Sequence, residues 1–226
     1  MQLSGKTVLV SGGNGGIGSA VVKELHKNGA VVYSLDLDGE IPNVILGVHY
    51  LSADLTNSKQ LKDAIQLIKS KVDIVFLNAG IMRRGTIFDS SEEDYDVLLS
   101  SNLKSAWMLL KLLKPHLVEE AMIVQMSSGH ALYPEADPGI YTLTKKATAA
   151  LAEIVAITCP DYDVKVVYPG PILTYLLLTG RSDTEKKRIS KIAMRPESFA
   201  EKVIELMQTD KKTLKFVPKN FSYELS

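Results

Sequence analysis

The sequence predicts an α/β protein: a doubly wound parallel sheet with helices on both faces, formed as a single domain over residues 1–226. Three observations carry this. Short apolar, β-branched runs alternate with longer segments of helical period along the whole chain. The short runs are continuously apolar, as expected of strands covered on both faces. No linker, repeat or low-complexity stretch interrupts the series.

Residues 7–11 read as the first strand, followed by a glycine-rich turn and a helix from about 16 to 28 that Gly29 ends. A second strand spans 30–36, a third lies near 48–51, and a helix covers 58–70. The fourth strand is 72–78, and the helix over 92–114 is stopped by Pro115. A fifth strand at 121–127, a helix at 140–158 and a sixth strand at 164–168 continue the alternation. A last helix over 196–207 and a seventh strand at 214–217 complete it.

Composition narrows the class. The 226 residues include 26 basic and 26 acidic side chains, with 46% hydrophobic and 23% charged residues. That length supports a full core, and that composition excludes disorder as the main state. Balanced charge argues against nucleic acid or an anionic membrane as the principal partner. The one cysteine, Cys159, offers neither an internal disulfide nor zinc spacing. The first residues lack the apolar stretch of a signal peptide, and nothing approaches the roughly 18 apolar residues of a membrane span. A soluble, cytoplasmic protein is expected.

The turn after the first strand reads Ser-Gly-Gly-Asn-Gly-Gly-Ile-Gly over residues 11–18. Glycines there let the backbone approach a pyrophosphate, and the following helix N-terminus presents free N–H groups and a positive dipole end. Gly13, Gly15 and Gly18 fit G-x-G-x-x-G; Gly12, Gly16 and Gly18 fit G-x-x-x-G-x-G. Asp36 closes the second strand 18 residues beyond Gly18, where a carboxylate accepts from adenosine ribose hydroxyls and repels a 2′-phosphate. Asp38 and Glu40 add negative charge, and the glycine loop carries no Lys or Arg, so NAD is expected in preference to NADP.

Tyr141 and Lys145 stand at i and i+4 of one helix and share a face. A tyrosine, with an ordinary pKa of about 10, becomes a usable proton shuttle when an adjacent ammonium favours the phenolate. Ser127 and Ser128 end the fifth strand, at the carboxyl edge where such sheets bind ligands.

On these residues the chain resembles the compact, single-domain short-chain dehydrogenase/reductases over about residues 5–207, and so a Rossmann-type sheet. That family's Thr-Gly-x-x-x-Gly-Ile-Gly run is matched by Ser11, Gly12, Asn14, Gly16, Ile17 and Gly18, with Ser replacing Thr and keeping the hydroxyl. The resemblance places Asp54 and Leu55 beside adenine, and Asn78-Ala79-Gly80 after the fourth strand, lining the ribose. It sets Pro169-Gly170 along the nicotinamide, with Ile172 and Thr174 at the carboxamide.

It also implies a catalytic tetrad of Asn102, Ser128, Tyr141 and Lys145; Ser128, 13 residues before Tyr141, is preferred to Ser127. The implied roles are Tyr141 as general acid/base during hydride transfer with NAD, Lys145 lowering its pKa and holding the nicotinamide ribose, Ser128 orienting the substrate oxygen, and Asn102 holding a relay water. The expected reaction interconverts a secondary alcohol and a ketone.

Two regions depart from the family. The C-terminal stretch lacks the usual glycine-rich strand and tail, which puts a tetramer in doubt. The substrate lid, about 173–195, is short. Its apolar part, with Met82, Leu132 and Tyr133 as neighbours, points either to a hydrophobic or small neutral substrate or, equally, to leucines that simply pack in the core. Arg181, Lys186, Lys187, Arg188 and Lys191 suggest either an acidic carrier or, preferably, a solvated helix face; His130 is given no catalytic duty. The helix over 140–158 lacks a polar outer stripe, so a homodimer is expected. Competing readings are a 3-oxoacyl thioester reductase, which would favour NADPH, and a non-catalytic NAD-binding protein, which would expect a broken tetrad.

Overall fold

The computed structural model describes residues 2–37, 39 and 44–226. Asp38 and Glu40, expected to add charge beside Asp36, lie outside the described residues.

The elements run β1 (Thr7–Ser11), α1 (Gly16–Lys27), β2 (Val31–Asp36), β3 (His49–Ser52), α2 (Ser58–Ile65) and β4 (Val72–Leu77). They continue with α3 (Glu92–Leu99), a π-type turn (Ser100–Lys104), α4 (Ser105–Leu113), β5 (Leu117–Met126), α5 (Gly129–Leu132), α6 (Gly139–Thr158) and β6 (Asp163–Tyr168). The last are α7 (Tyr175–Leu178), α8 (Asp183–Ser190), α9 (Pro196–Gln208), β7 (Thr213–Val217) and β8 (Ser222–Leu225). Among the described residues the strands form one sheet in the order β3-β2-β1-β4-β5-β6-β7-β8. Every pairing is parallel except the last, where β8 returns antiparallel along β7. This is the doubly wound, Rossmann-type sheet the sequence predicts.

Both faces are dry. Val8, Val10, Ile74 and Phe76 pack with Val21 and Leu25 of α1 and Phe199 and Val203 of α9. The alternate residues Leu9, Val75 and Ile123 point to the opposite face, against Leu61 of α2, Leu109 of α4 and Ala152 of α6. Successive side chains of a strand therefore enter two different cores, which is why the strands read as unbroken apolar runs.

Several boundaries differ from expectation. The helix at 58 ends at Ile65, and β5 begins at Leu117, ahead of the expected 121. The long helix at 92–114 is broken by the π-type turn around Asn102, because that side chain is drawn inward to hydrogen-bond a neighbouring loop. Among the described residues, no helix is long and apolar enough to cross a membrane.

Candidate active site

The glycine turn is built by close approach. Gly12 sits at φ +65°, and a Cβ there would stand 2.8 Å from the Ala79 Cα. A Cβ on Gly16 would meet the Thr174 methyl at 2.6 Å, and one on Gly18 would collide with the Gly12 carbonyl. Gly13 is as crowded, a Cβ there colliding with the Ser34 hydroxyl oxygen, so close contacts occur in both spacings and Gly15 has the most room. The N-terminus of α1, capped by Gly15 without a side-chain hydrogen bond, leaves its first-turn N–H groups open for an anion.

Neighbouring strands brace this turn. The Asn78 amide donates to the carbonyls of Ser11 (3.1 Å) and Gly12 (3.0 Å), and the Ser11 hydroxyl accepts from the Asn78 N–H at 3.1 Å. The Asp36 carboxylate accepts from the N–H groups of Asn14 and Leu37, both at 2.8 Å. Asn14 in turn accepts from the Ser34 hydroxyl at 3.1 Å. Ser11, Asn14 and Gly18 therefore shape the turn from behind.

In front lies a cleft of about 340 Å³, walled by Gly12, Gly16, Asp36, Asp54, Leu55 and Ala79 among others. Asp54 is held by accepting from the Thr56 N–H and hydroxyl, at 2.8 and 2.7 Å. A glycine cradle, an uncapped helix N-terminus and a carboxylate at the end of β2 fit a dinucleotide.

At the other end of the cleft the predicted tetrad converges. Tyr141 and Lys145 project from α6, and the Lys145 ammonium lies 5.7 Å from the tyrosine ring centroid. Gly80 makes room for it: a Cβ there would be 3.3 Å from the Lys145 Nζ. The Lys145 ammonium donates to the Met126 carbonyl at 3.3 Å, and burial lowers its pKa to about 8.

Burial also raises the Tyr141 pKa, with the Ser128 hydroxyl pulling the other way. The lowering expected from Lys145 is not seen, and burial of the phenol dominates.

The two serines separate cleanly. Ser127 spends its hydroxyl on the Lys145 carbonyl at 2.7 Å, whereas Ser128 faces a second cavity. Asn102 donates to the Ile81 carbonyl and the Thr144 hydroxyl, both at 3.0 Å, and accepts from the Ile81 N–H at 2.8 Å. Both amide hydrogens are committed, so toward a relay water this side chain can only accept.

The second cavity, about 350 Å³, shares Tyr141, Pro169, Thr174 and Leu176 with the first. Ile172 lines it as well, and Thr174 caps α7 by accepting from the Leu177 N–H at 3.3 Å. Met82 and Tyr133 line it as expected, but Leu132 does not; it packs against the core beneath α6. His130 reaches the wall, its ring edge-on to Tyr141 with centroids 6.1 Å apart, and burial lowers its pKa.

Sequence reasoning missed Glu135, Phe216 and Phe221, and placed Arg181 on a solvated face, whereas all four line this cavity. It also missed Tyr223, whose hydroxyl accepts from the Gly170 N–H at 2.9 Å. Nothing local in the sequence marks these positions, since the β7–β8 return carries three of them inward.

A Rossmann-type sheet with an open phosphate cradle and a Tyr/Lys/Ser cluster at its carboxyl edge defines a nucleotide-dependent oxidoreductase. The family model for the short chain dehydrogenases matches residues 6–185, and the chain belongs to that family. It is 31% identical over 191 residues to Oxidoreductase UcpA of Salmonella typhimurium, covering 76% of this chain and 72% of that one. It is 32% identical over 186 residues to L-fucose dehydrogenase of Rattus norvegicus, covering 77% and 69%. A short chain dehydrogenase family protein from Francisella tularensis superposes with TM-score 0.81 at 29% identity, covering 92% of this chain and 93% of that one. The fold is also that of a 3-ketoacyl-(acyl-carrier-protein) reductase from Brucella melitensis complexed with NADH, with TM-score 0.78 at 24% identity over 90% and 91% of the two chains. The chain is thus an oxidoreductase of a family that uses nicotinamide cofactors.

Proposed function

We propose that the protein is an NAD-dependent oxidoreductase that interconverts a secondary alcohol and a ketone, with Tyr141 as its general acid/base. The observation that carries this reading is the position of Tyr141, whose side chain borders both the glycine-walled cleft and the second cavity. A proton donor at that junction can serve a substrate carbon placed against the cofactor. The bound nicotinamide supplies the hydride in reduction and accepts it in oxidation.

The protein's own groups do the rest. Tyr141 delivers its phenolic proton to the substrate oxygen in reduction and takes it back in oxidation. Ser128 donates to that oxygen as charge develops. Lys145, buried and short of partners, holds its ammonium toward the ribose end of the cleft. Thr174 and Ile172 flank the place of the carboxamide.

Preference for NAD rests on Asp36, which lines the cleft with its carboxylate held in place by two backbone N–H groups. A 2′-phosphate would meet that charge with no lysine or arginine in the glycine loop to offset it. Residues 173–195 act as the substrate lid. A homodimer through α4 and α6 accounts for the exposed Trp107, Leu143, Ile154 and Ile157 on their outer faces. Balanced charge and the lone Cys159 suit a cytoplasmic setting.

The test is a panel of secondary alcohols and ketones, scored with NAD(H) and NADP(H) in parallel for the wild type and Tyr141→Phe. Turnover with NAD(H) that falls at least about 100-fold in the variant is expected. Near-normal turnover by Tyr141→Phe, or activity only with NADP(H), overturns the assignment.

A further inference from the structure

We propose that the substrate carries a carboxylate and that Arg181 binds it, so that the reacting pair is a hydroxy acid and its oxo acid. This rests on the oxidoreductase reading above and names its substrate class.

Arg181 lies between α7 and α8, with its side chain only 17% exposed, and shares the wall of the second cavity with Ser128, His130 and Tyr141. Its Nε–H donates to the Leu177 carbonyl at 2.9 Å, which fixes the plane of the guanidinium. Among the described residues its other four N–H donors make no hydrogen bond. The nearest carboxylate oxygen, Glu185 Oε1, stands 4.0 Å away, beyond hydrogen-bonding distance. The other oxygen of Glu185 is taken by the Ser182 N–H and hydroxyl.

The surrounding charges do not fill this gap. Asp137 accepts from Arg84 at 3.0 Å and from the Gly85 N–H at 2.8 Å. Burial lowers the Arg181 pKa and the charge of Arg84 lowers it further, against Glu185, Asp137 and Glu135, which raise it. A partly dehydrated guanidinium without a bidentate partner is costly to keep. An incoming carboxylate supplies the planar pair of acceptors that the fork matches.

The rest of the wall is largely apolar, including Met82, Leu177, Ile189, Ile192 and Phe216. Within this cavity an anion therefore goes to Arg181 and the reacting oxygen to Ser128 and Tyr141. Glu135 borders the same cavity and, among the described residues, forms no ion pair; its charge favours a single carboxylate over a doubly charged headgroup. Lys186, Lys187, Arg188 and Lys191 do not line the cavity and take no part. The apolar lid thus serves a charged substrate, in contrast to the neutral one its leucines suggest.

The test has a kinetic arm and a binding arm. In the first, C3–C6 hydroxy acids are compared with the corresponding hydroxy amides in NAD-linked oxidation by the wild type, Arg181→Met, Arg181→Lys and the surface control Lys62→Ala, which lies on α2 away from both cavities. The acids are expected to exceed their amides in kcat/KM by about 10-fold or more, and Arg181→Met to raise KM for acids by about 30-fold with little change in kcat. Arg181→Lys should recover part of the loss, and Lys62→Ala should change neither. In the second arm, calorimetry compares pentanoate with pentanamide in the presence of NADH, with binding of pentanoate alone expected, and lost in Arg181→Met.

Equal treatment of acid and amide, or equal loss on both in Arg181→Met, overturns the proposal. Tyr141-dependent turnover confined to neutral alcohols sinks it while leaving the oxidoreductase reading intact. Arg181-dependent pentanoate binding without turnover of any alcohol does the reverse.

Discussion

Two lysines lie inside the molecule, Lys145 near the carboxyl edge of the sheet and Lys165 near its amino edge, 4% and 0% exposed. The Lys165 ammonium donates to the carbonyls of Thr209 (2.9 Å) and Lys211 (2.6 Å) and pairs with Asp163 at 3.2 Å. All three of its hydrogens have acceptors, and it ties β6 to the loop that feeds β7. Among the described residues Lys145 has one acceptor, the Met126 carbonyl at 3.3 Å. Burial lowers the pKa of both, but only Lys165 has an anion working against that shift. The difference separates structure from chemistry: a satisfied buried ammonium is a fastening, and an under-satisfied one keeps its donors for a ligand.

That contrast breaks if substitution of the two lysines has the same consequence. The largest expected effect is on turnover: Lys145→Met should lower kcat by about 10²–10⁴-fold, measured with any substrate the wild type accepts, while Lys165→Met leaves kcat within about threefold. Next comes stability. Lys165→Met strands two carbonyls, takes one of two cations from Asp163 and should cost about 2–3 kcal/mol in urea unfolding. Lys145→Met removes a poorly paired charge and should be neutral or stabilising by about 1–2 kcal/mol.

A pH series sharpens the second point. The folded pKa of Lys145, about 8, lies below the roughly 10.4 of an unfolded lysine, so the unfolded chain binds more protons between those values. The penalty of the buried ammonium is full below pH 8 and vanishes as pH approaches 10.4. The stability advantage of Lys145→Met over wild type should therefore shrink across that window, and an advantage that stays constant contradicts the assignment. The smallest effect belongs to Lys212, which also pairs with Asp163 but is 61% exposed. Lys212→Ala should cost less than about 0.5 kcal/mol and should not alter turnover.

The sheet was readable because its strands are apolar on both sides and its turns are marked by glycine and proline. Lys165 was readable only as one residue of a strand, since two of its three partners are backbone carbonyls more than 40 residues away. The π-type turn at Asn102 left no trace, because apolar spacing continues through it. Helix α8 did have a signal, the Ser182-to-Glu185 capping box, which was overlooked beside the run of charges.

In the site, Gly12, Asp36 and Tyr141 could be picked out from local motifs, and all three line the first cleft. Ser11, Asn14 and Gly18 belong to the same motif but stand behind the cleft. Arg181, Glu135, Phe216 and Phe221 reach the second cavity only through tertiary packing, and no local spacing could announce them.

A strand buried on both faces loses the usual protection against misalignment. In a half-exposed strand a slip of one residue drives polar groups into the core, and the error is penalised at once. In β1 the slip would exchange Val8 and Val10 for Leu9, apolar for apolar, and polarity would not detect it. Shape has to. The absent Cβ of Gly12 against Ala79 and the Asn78 amide on the Ser11 and Gly12 carbonyls match in one alignment of β1 with β4. The atoms of the glycine turn thus serve as a proofreading key for strand alignment, so glycine substitutions here should give misaligned chains as well as weak cofactor binding.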